Sequence, residues 1–415
     1  MTGKKFYQMS LEERLSLIAS KRGITRDEIS TVVNQPLSFD KIDKMVENAI
    51  GSFSLPLGIA TNFVINGKEY LVPMAIEEPS VIAAASNAAK LARSKGGFKA
   101  SAKSSIMRGQ IQVIKLLDIK KAMHGISKHR DSLLKLANSV SKNVKALDLK
   151  SRVVDNEIDG TKMVVTEIYV DCKDSMGANT INTMCELLGP RIEQKTGGKV
   201  VLKILSNYAT ERIAISKATF KKQELGGDDI VDRILSAFAF AFSDTHRAVT
   251  HNKGIMNGID AVSIATGQDF RAIEAAAHAY ASRDGKYRSL TTFSESSSGD
   301  LVGKIEIPLS VGIVGGISTV HPVAKLGLKI LGVQSAGELA CVIASAGLAQ
   351  NLAAIRALST EGIQKGHMKL HAKNIAVAAG ATGKMVDLVS EVMYRESNIS
   401  LNSARQILHD LKDKG

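Results

Sequence analysis

The sequence predicts an α+β fold in which a small ferredoxin-like unit is inserted into a larger mixed unit of helices and strands. Its 415 residues are enough for two or three domains around a large core. Residues 108–206 carry apolar patterns in the order β-α-β-β-α-β, the split βαβ arrangement. From residue 207 the chain returns to long helical patterns with some strands. We therefore expect the larger unit to comprise residues 1–107 and 207–362.

Helical patterns come first along the chain. Residues 10–50 are typical of helices, and Ser10 followed by Glu13 has the spacing of a capping box. Residues 51–72 are typical of extended chain. A small-residue helix is expected to begin near Ser80.

The inserted unit follows, and each of its elements is predicted from the apolar period and from the residues at its ends. The elements are a strand at 110–117, a helix at 120–147, a short extended piece at 151–155, a strand at 162–171, a helix at 175–195 stopped by Gly197 and Gly198, and a strand at 199–206.

The rest of the larger unit contains an apolar run at 261–265 that predicts a buried strand, preceded by an Asn- and Gly-rich loop. The most apolar long stretch, 339–355, is too short and too polar to predict a membrane-spanning helix. Residues 363–415 predict a C-terminal helical lid that is mobile. Further elements are helices at 230–242, 271–282 and 335–358 and strands within 301–316.

The composition is that of a soluble globular protein, with 44 % hydrophobic and 23 % charged residues. The three cysteines have neither metal-ligand spacing nor an even number for pairing, so we expect no metal and a reduced, cytoplasmic setting. The N-terminus lacks the apolar region of a signal peptide. Nothing in the composition predicts a membrane anchor.

The net charge of +13 raises the question of a polyanionic partner. Aromatic residues make up only 4 %, there is no Trp, and the lysines are scattered, so a nucleic-acid partner is not expected. A basic surface is the first interpretation of the charge. Attraction of small polyanionic ligands is the second.

Residues 251–269 place Lys253 and, 16 positions later, Asp269 on either side of the apolar run. A lysine and an aspartate brought together beside a core strand can shift each other's pKa and act as catalytic groups. The alternatives are a solvated loop lysine and an aspartate that caps the next helix.

Two further passages carry titratable groups. Glu77 and Glu78 end an apolar run and precede a proline, which favours an extended conformation at Glu78. His367 and His371 stand at i, i+4, where the alternative is a pair of surface helix residues. Together the three passages supply a full set of proton donors and acceptors.

These motifs resemble those of class II 3-hydroxy-3-methylglutaryl-CoA reductases. The resemblance is carried by EEPSVIAAAS, HNKGIMNGIDA, ATGQD, SAGLAQN and GHMKLHAKN. A further segment, DSMGANTINT, is similar to the DAMGAN cofactor motif of that family, with Ser175 where Ala is usual. The matches run in family order from about residue 10 to the C-terminus.

The resemblance implies an oxidoreductase that reduces 3-hydroxy-3-methylglutaryl-CoA to mevalonate and CoA with two NAD(P)H, in the mevalonate pathway of isoprenoid biosynthesis. The alternative is the same reaction run oxidatively with NAD⁺ and CoA. It also implies that the inserted unit binds the cofactor and the larger unit binds the substrate. A homodimer with shared active sites, associating into a hexamer (a trimer of dimers), is implied as well.

For the reduction itself, the resemblance implies that Lys253 stabilises negative charge on the former carbonyl oxygen. It implies that Asp269 holds and tunes the Lys253 ammonium. Glu78, rather than its neighbour Glu77, is implied as the general acid. His367 is implied to protonate the departing CoA thiolate.

Arg247 is implied to bind the carboxylate of the acyl group through a bidentate pair. The remaining residues at the family's substrate positions would be ordinary polar caps in isolation, and their assignment rests on the resemblance alone. They are Ser80, Asn207, Asn257, Gln350 and Asn351.

The cofactor motif lacks G-x-G-x-x-G spacing, so a Rossmann site is not expected. A helix beginning in the motif can instead face a pyrophosphate with its N-terminus. Residues 137–146 are expected to be helical, with Ser141 and Lys142 beside the ribose 2′ position. They carry no acid to repel a 2′-phosphate, which favours NADPH over NADH. The motif's candidate residues are Asp174, Met176, Gly177, Ala178 and Asn179.

Overall fold

The structure is a computed structural model that describes residues 4–33, 37–360 and 363–412, with the backbone alone for residues 363–370 and 412. A short 3-10 helix, Phe6–Gln8, precedes the α-helices and strands. In chain order these are α1 (Leu11–Arg22), α2 (Arg26–Val33), α3 (Phe39–Met45), β1 (Leu57–Ile65), β2 (Lys68–Ala75), α4 (Val81–Arg93), β3 (Lys99–Ala102), β4 (Ile106–Ile114), α5 (Ile119–Lys128), α6 (Arg130–Ala137), β5 (Lys145–Asp155), β6 (Lys162–Asp171), α7 (Ala178–Thr196), β7 (Lys199–Ser206), β8 (Ile213–Phe220), α8 (Lys222–Leu225), α9 (Asp228–Ser243), α10 (Thr245–Ala265), α11 (Phe270–Ala281), β9 (Thr291–Glu295), β10 (Leu301–Pro308), α12 (Ile317–Val320), α13 (Pro322–Leu331), α14 (Ala336–Ser359), α15 (Ile363–Ala378), α16 (Lys384–Arg395) and α17 (Leu401–Lys412).

The larger part of the fold is built on two antiparallel sheets. β1 pairs with β2, and a four-stranded sheet has the order β3-β8-β10-β9. α14 packs against the four-stranded sheet and is apolar on all sides, as expected of a helix in the centre of a core. One cluster of buried apolar side chains joins both sheets to α4, α10 and α14. The predicted helix at 335–358 is confirmed.

α10 and α14 approach each other closely because glycines stand at their crossing. A Cβ on Gly258 would lie 2.7 Å from the carbonyl oxygen of Ala346, and a Cβ on Gly347 would lie 2.8 Å from Cγ1 of Ile259. Glycine costs helix propensity, and here the close backbone packing explains its presence.

The predicted strand at 261–265 and the loop around Lys253 are wrong, because both belong to the continuous helix α10. A five-residue apolar run cannot by itself distinguish a buried strand from a buried helix turn. The buried positions of α10 follow the helical period from Ala248 to Ala265. Asn252 is buried on that face and is satisfied by the backbone of the loop before β9.

The inserted unit has the predicted ferredoxin-like topology. Its antiparallel sheet has the order β5-β6-β4-β7, with α5, α6 and α7 against one face and a buried apolar cluster of its own. The predicted helix at 120–147 is wrong in part, since α6 ends at Ala137 and β5 begins at Lys145. From Lys145 onward the chain pairs with β6, and these strand contacts override the local helical pattern of the sequence.

α14 also corrects the expectation about membranes. At 24 residues it is longer than the apolar stretch seen in the sequence, and by length and composition alone it could cross a membrane. However, 83 % of its most apolar window is buried inside the fold. A core helix of a folded domain passes the same test.

The N-terminal helices pack against β2 and α13, whereas the C-terminal helices form a packing unit of their own. The capping box of α1 is confirmed, since Ser10 accepts from the Glu13 N–H and Glu13 accepts from the Ser10 N–H. At the other end, α15, α16 and α17 bury a cluster of their own apolar side chains. The lid is therefore helical as predicted, and its mobility stays a prediction.

Candidate functional site

Glu78 lies in the short connection between β2 and α4. Pro79 follows it, and the helix begins at Val81 with Ser80 as its N-terminal cap residue. Ser80 has a φ of 72°, a left-handed conformation that is costly for a residue other than glycine, and its side chain makes no cap hydrogen bond. The connection thus presents both Glu78 and the Ser80 hydroxyl away from the helix backbone.

Lys253 and Asn257 meet Glu78 from the polar face of α10. Lys253 Nζ lies 2.6 Å from Glu78 Oε2, and Asn257 Nδ2 donates to the same oxygen at 3.1 Å. The two α10 residues are one turn apart and therefore lie on one face of the helix. The Lys253 side chain is 60 % exposed and that of Glu78 is 32 % exposed, so a ligand can reach both groups.

This arrangement can both hold charge and move a proton. A lysine ammonium can stabilise negative charge that develops on a nearby oxygen. A carboxyl group within hydrogen-bond reach can deliver or accept a proton. The Asn257 amide fixes one carboxylate oxygen, which leaves the other oxygen of Glu78 for a ligand.

Asp269 does not meet Lys253 within the chain, contrary to the predicted pairing. About 18 Å of helix separates Lys253 from Ala265, and Asp269 follows beyond the next turn. Asp269 instead caps α11 by accepting from the Ala272 N–H at 3.1 Å, and Arg271 Nη2 lies 3.1 Å from its Oδ1. The predicted capping role is confirmed.

Asn351 is held in a buried polar network behind α10. Thr291 Oγ1 donates to Asn351 Oδ1 at 2.8 Å and lies 2.8 Å from His251 Nε2. Because the threonine proton goes to Asn351, His251 Nε2 is the donor in the second bond. Burial, together with the charge of Arg247, lowers the pKa of His251 to about 3 and keeps the ring neutral. The imidazole here is a core residue.

Gln350 stands one position earlier in α14, where Gly258 of α10 passes against its Cβ. Its Oε1 is buried, and the described residues offer it no hydrogen-bond partner. A buried amide oxygen without a donor costs free energy, so a ligand donor at this position would be favoured.

Arg247 lies in the first turn of α10, where Asp244 caps the helix by accepting from its N–H. Burial lowers the pKa of its guanidinium. It lines a cavity of about 590 Å³ between α9, α10 and the end of α14, together with Arg233, Phe240 and Thr250. The lining also includes Asp232, Ser236 and Ser359, so two guanidinium groups face one carboxylate there, and the cavity keeps a cation for an anionic ligand with an apolar body.

The predicted cofactor motif lines a second and larger cavity, of about 900 Å³. α7 begins there at Ala178, with Gly177 at a φ of 89° as its cap residue. A Cβ on Gly177 would collide with Cys172 Sγ, so the loop needs glycine. The free N–H groups of the helix start face this cavity and suit a phosphate. The lining includes Met176, Gly177, Ala178, Asn179, Gln268, Asp269, Arg271 and His321.

The side chains of the motif's other two residues, Asp174 and Ser175, are hydrogen-bonded within the protein, although Ser175 also lines the cavity. Asp174 Oδ1 accepts from the Ala336 N–H at 2.8 Å, and so ties the motif to the start of α14. Ser175 Oγ donates to the carbonyl oxygen of Cys172 at 2.9 Å. The hydroxyl that departs from the family pattern is thus used within its own loop.

Ser141 and Lys142 lie in a turn before β5 and not in the expected helix. Ser141 Oγ accepts from the N–H groups of Asn143 and Val144 at 3.2 and 3.1 Å. Lys145 pairs with Asp171 across the sheet, so the turn and the cofactor motif lie at the same end of the inserted sheet. Lys142 is exposed there.

The remaining predicted residues are placed separately. Asn207 is exposed in the connection between β7 and β8. His371 is exposed on α15, as a surface helix residue would be. His367 belongs to the same helix, but its side chain lies outside the described residues. Among the described residues, no group of three or more His, Cys, Asp or Glu could hold a metal ion.

The sequence reasoning missed four polar residues around the larger cavity. Gln268 accepts from the Gly312 N–H at 2.9 Å, Arg271 and His321 line the cavity, and Arg212 donates to the carbonyl oxygen of Ser175. Gln268 stands within a quoted motif and could have been found. The other three stand in segments whose composition carries no signal.

Comparisons with known proteins agree on one family. The family model for hydroxymethylglutaryl-coenzyme A reductase matches residues 10–372. The chain is 53 % identical to a 3-hydroxy-3-methylglutaryl-coenzyme A reductase of Archaeoglobus fulgidus, covering 98 % of this chain and 94 % of the relative. It is 38 % identical to a probable enzyme of that name from Borreliella burgdorferi, covering 81 % and 78 %.

Solved structures agree with the sequence comparisons. A 3-hydroxy-3-methylglutaryl-coenzyme A reductase from Streptococcus pneumoniae superposes with a TM-score of 0.83 at 38 % identity, covering 99 % of this chain and 100 % of that one. A class II enzyme from the same organism, bound to NADPH in open conformations, superposes with a TM-score of 0.81 at 39 % identity, covering 97 % and 100 %.

Proposed function

Because the chain belongs to the hydroxymethylglutaryl-coenzyme A reductase family, we propose that it reduces (S)-3-hydroxy-3-methylglutaryl-CoA to (R)-mevalonate and free CoA. The balanced reaction consumes two NAD(P)H and two protons for each thioester. The observation that carries the proposal is the contact of Lys253 and Asn257 with Glu78. A cation and an amide donor thus meet a carboxyl group at one accessible point, which supports the proposed roles.

Two reduced nicotinamide nucleotides, bound one after the other, would each supply one hydride. Lys253 stabilises the oxygen anion that each transfer creates at the former carbonyl. Glu78 donates a proton to that oxygen when the aldehyde becomes the alcohol. Asn257 holds Glu78 in the orientation for this donation.

Two further groups complete the proposed chemistry. His367, on α15, protonates the CoA thiolate, which would otherwise recombine with the aldehyde. Asp269 tunes the site from the larger cavity, where it lies with the cofactor motif. Its proposed contact with Lys253 needs a second subunit, since the two are far apart in one chain. This supports the proposed homodimer with shared active sites. The proposed association of dimers into a hexamer rests on the family alone.

The acyl carboxylate is proposed to pair with Arg247, whose guanidinium is already partly desolvated. The unpartnered oxygen of Gln350 supports a hydrogen bond from the substrate. The other proposed substrate contacts are Ser80, Asn207, Asn257 and Asn351.

The nucleotide is proposed to bind in the larger cavity, against the start of α7. The residues present fit a dinucleotide, because backbone N–H groups and a glycine line a cavity of about 900 Å³. Exposed Lys142 at the same end of the sheet favours NADPH over NADH. A preference for NADPH supports the biosynthetic direction, in the cytoplasm. The proposed cofactor residues are Ser141, Lys142, Asp174, Met176, Gly177, Ala178 and Asn179.

The domain boundaries are proposed as 108–206 for the cofactor-binding unit and 363–415 for a mobile flap. The separate apolar clusters of these two segments support the division. The remainder, 1–107 and 207–362, is the proposed substrate-binding and dimerisation unit.

The test follows the absorbance of the reduced nicotinamide in purified protein with 3-hydroxy-3-methylglutaryl-CoA, with NADPH and NADH in parallel. We expect two nucleotides oxidised per thioester, and loss of turnover in Lys253→Ala. Lys329→Ala is the matched control, because Lys329 also pairs with a carboxylate at 2.7 Å but lies away from both cavities.

A folded wild-type protein that oxidises neither nucleotide would overturn the proposal. A second arm supplies mevalonate, CoA and NAD⁺ or NADP⁺. A kcat/KM that is higher for NAD⁺ and NADH than for the phosphorylated pair would instead support the oxidative direction.

A further inference from the structure

Arg212 is a buried cation behind the cofactor motif. It stands just before β8, and only 4 % of its surface is exposed. Among the residues that the structure describes, no carboxylate lies within ion-pair distance of its guanidinium. Its fork donates instead to two backbone carbonyl oxygens, that of Ser175 at 3.1 Å and that of Val311 at 2.7 Å. Burying a charge costs free energy unless hydrogen bonds or an ion pair compensate it, and here two backbone hydrogen bonds do so.

The two carbonyl groups belong to two neighbouring loops that both line the larger cavity. Ser175 belongs to the motif loop, residues 172–177, and Val311 belongs to a glycine loop, residues 309–316, that follows β10. Met176 and Gly177 of the first loop and Gly312 of the second line the cavity. Arg212 therefore joins the two loops through their backbones without being a lining residue itself.

Other contacts hold the two loops in register around this bond. The N–H of Ile313 donates to the carbonyl oxygen of Asp174 at 2.8 Å, and the N–H of Leu309 donates to the carbonyl oxygen of Arg212 at 2.9 Å. A Cβ on Gly312 would lie 2.7 Å from the backbone nitrogen of Met176. The loops are thus in backbone contact, and a small change in one displaces the other.

The charge of Arg212 also acts in a definite direction. It lies behind the start of α7, whose N-terminus already carries a partial positive charge from the helix dipole. No described residue forms an ion pair with the guanidinium, but the carboxylates of Asp171 and Asp174 act on it at longer range and offset part of its charge. The part that is not offset adds to the field of the helix. An anionic group in the larger cavity would be attracted by both.

We infer that Arg212 is a positioning residue for the nucleotide: it fixes the motif loop against the glycine loop and adds positive potential at the phosphate position. The inference rests on the proposed function, in which the larger cavity holds the nicotinamide nucleotide. It assigns no contact between Arg212 and any ligand.

The test compares Arg212→Met and Arg212→Lys with Arg356→Met and Arg356→Lys. Arg356 is the matched control, since it also donates to a backbone carbonyl oxygen, that of Leu225 at 3.1 Å, but lies far along α14 from the cofactor motif. For each protein the dissociation constants of NADPH and of CoA are measured by titration, together with both KM values, kcat and Tm.

We expect Arg212→Met to weaken NADPH binding about tenfold or more, and to leave the dissociation constant of CoA and the KM of the acyl-CoA within about twofold. Arg212→Lys keeps the charge but reaches one carbonyl oxygen, so a smaller loss of about threefold is expected. The Arg356 variants should change Tm without separating NADPH binding from CoA binding.

Unchanged NADPH binding in folded Arg212→Met would overturn the inference, and so would an equal loss for NADPH and CoA. If Arg212→Met does not fold, Arg212→Lys decides by the same criteria. Wild-type turnover is a separate readout. A wild-type protein that binds NADPH but reduces no thioester overturns the proposed function alone, and one that binds no nucleotide overturns both.

Discussion

Lys253 Nζ and Glu78 Oε2 lie 2.6 Å apart although their residues are separated by 175 positions in the sequence. The contact exists because α10 packs against β2. Glu78 lies in the short non-helical connection that follows β2, and so it stays close to α10. Neither residue has the burial that would hold an ion pair for stability alone. An accessible pair on a rigid scaffold is what a reacting site requires.

Replacing Glu78 with Gln is expected to remove proton donation while keeping the shape of the side chain. We predict a fall in kcat of about 100-fold to 10,000-fold. The free energy of unfolding should change by less than about 1 kcal/mol, because exposed ion pairs contribute little. Steady-state kinetics and urea denaturation measure the two effects. Glu77→Gln is the control. A comparable loss of kcat in that variant would contradict the assignment of the proton to Glu78.

Gly258→Ala should destabilise the protein by about 1–3 kcal/mol, since the added methyl would overlap the carbonyl oxygen of Ala346. Gly254→Ala is the matched control one turn earlier in α10. A Cβ there would meet only Ala354 Cβ, at 3.8 Å, so gained helix propensity should leave stability unchanged or raised by up to about 1 kcal/mol. Equal Tm values for the two variants would contradict the close packing of α10 against α14.

Asp260 and Glu274 form a partly buried acidic pair between α10 and α11. Burial and the neighbouring Glu274 raise the pKa of Asp260 to about 9, while His278 lies 2.6 Å from Glu274 and lowers the pKa of that carboxyl. The Tyr287 hydroxyl is hydrogen-bonded to Nδ1, the other ring nitrogen of His278, at 2.7 Å. Asp260 is therefore protonated in the folded protein at neutral pH.

The sign of the pH dependence follows from proton uptake. The folded state binds the Asp260 proton up to about pH 9, whereas the unfolded chain releases it near its ordinary pKa of 3.8. Stability is thus lost as the pH rises through this window. Asp260→Asn should be stabilised relative to the wild type by about 1 kcal/mol or more at the alkaline end, by urea denaturation across pH. The control Asp229→Asn, an exposed carboxylate, should show no such trend.

Lys142→Glu tests the basis of nucleotide preference. We expect kcat/KM for NADPH to fall by about tenfold, because an acid at this turn would repel a 2′-phosphate, with kcat/KM for NADH nearly unchanged. Lys128→Glu is the control, because it reverses a charge at an exposed position of α5 in the same unit. Equal effects of both variants on NADPH would show a general loss of positive charge and contradict a local role for Lys142.

Several features could be predicted because they depend on neighbours in the sequence. The capping box of Ser10 and Glu13 uses residues three positions apart, and the end of α7 at Gly197 needs only a left-handed residue there. The β-α-β-β-α-β order of residues 108–206 follows from local periods. The placement of Glu78 ahead of Pro79 also follows from the local rule for residues before proline.

Other features depend on contacts between distant segments, and no local pattern carries them. The sequence pattern favoured a strand at 261–265, but this run continues the helix α10, which packs against α14 at Gly258 and Gly347. Lys253 meets Glu78 and not Asp269, since 18 Å of continuous helix intervenes. Arg212 braces two loops that lie 136 positions apart, from Ser175 to Val311, because hydrogen bonds and burial depend on distances in space rather than along the chain.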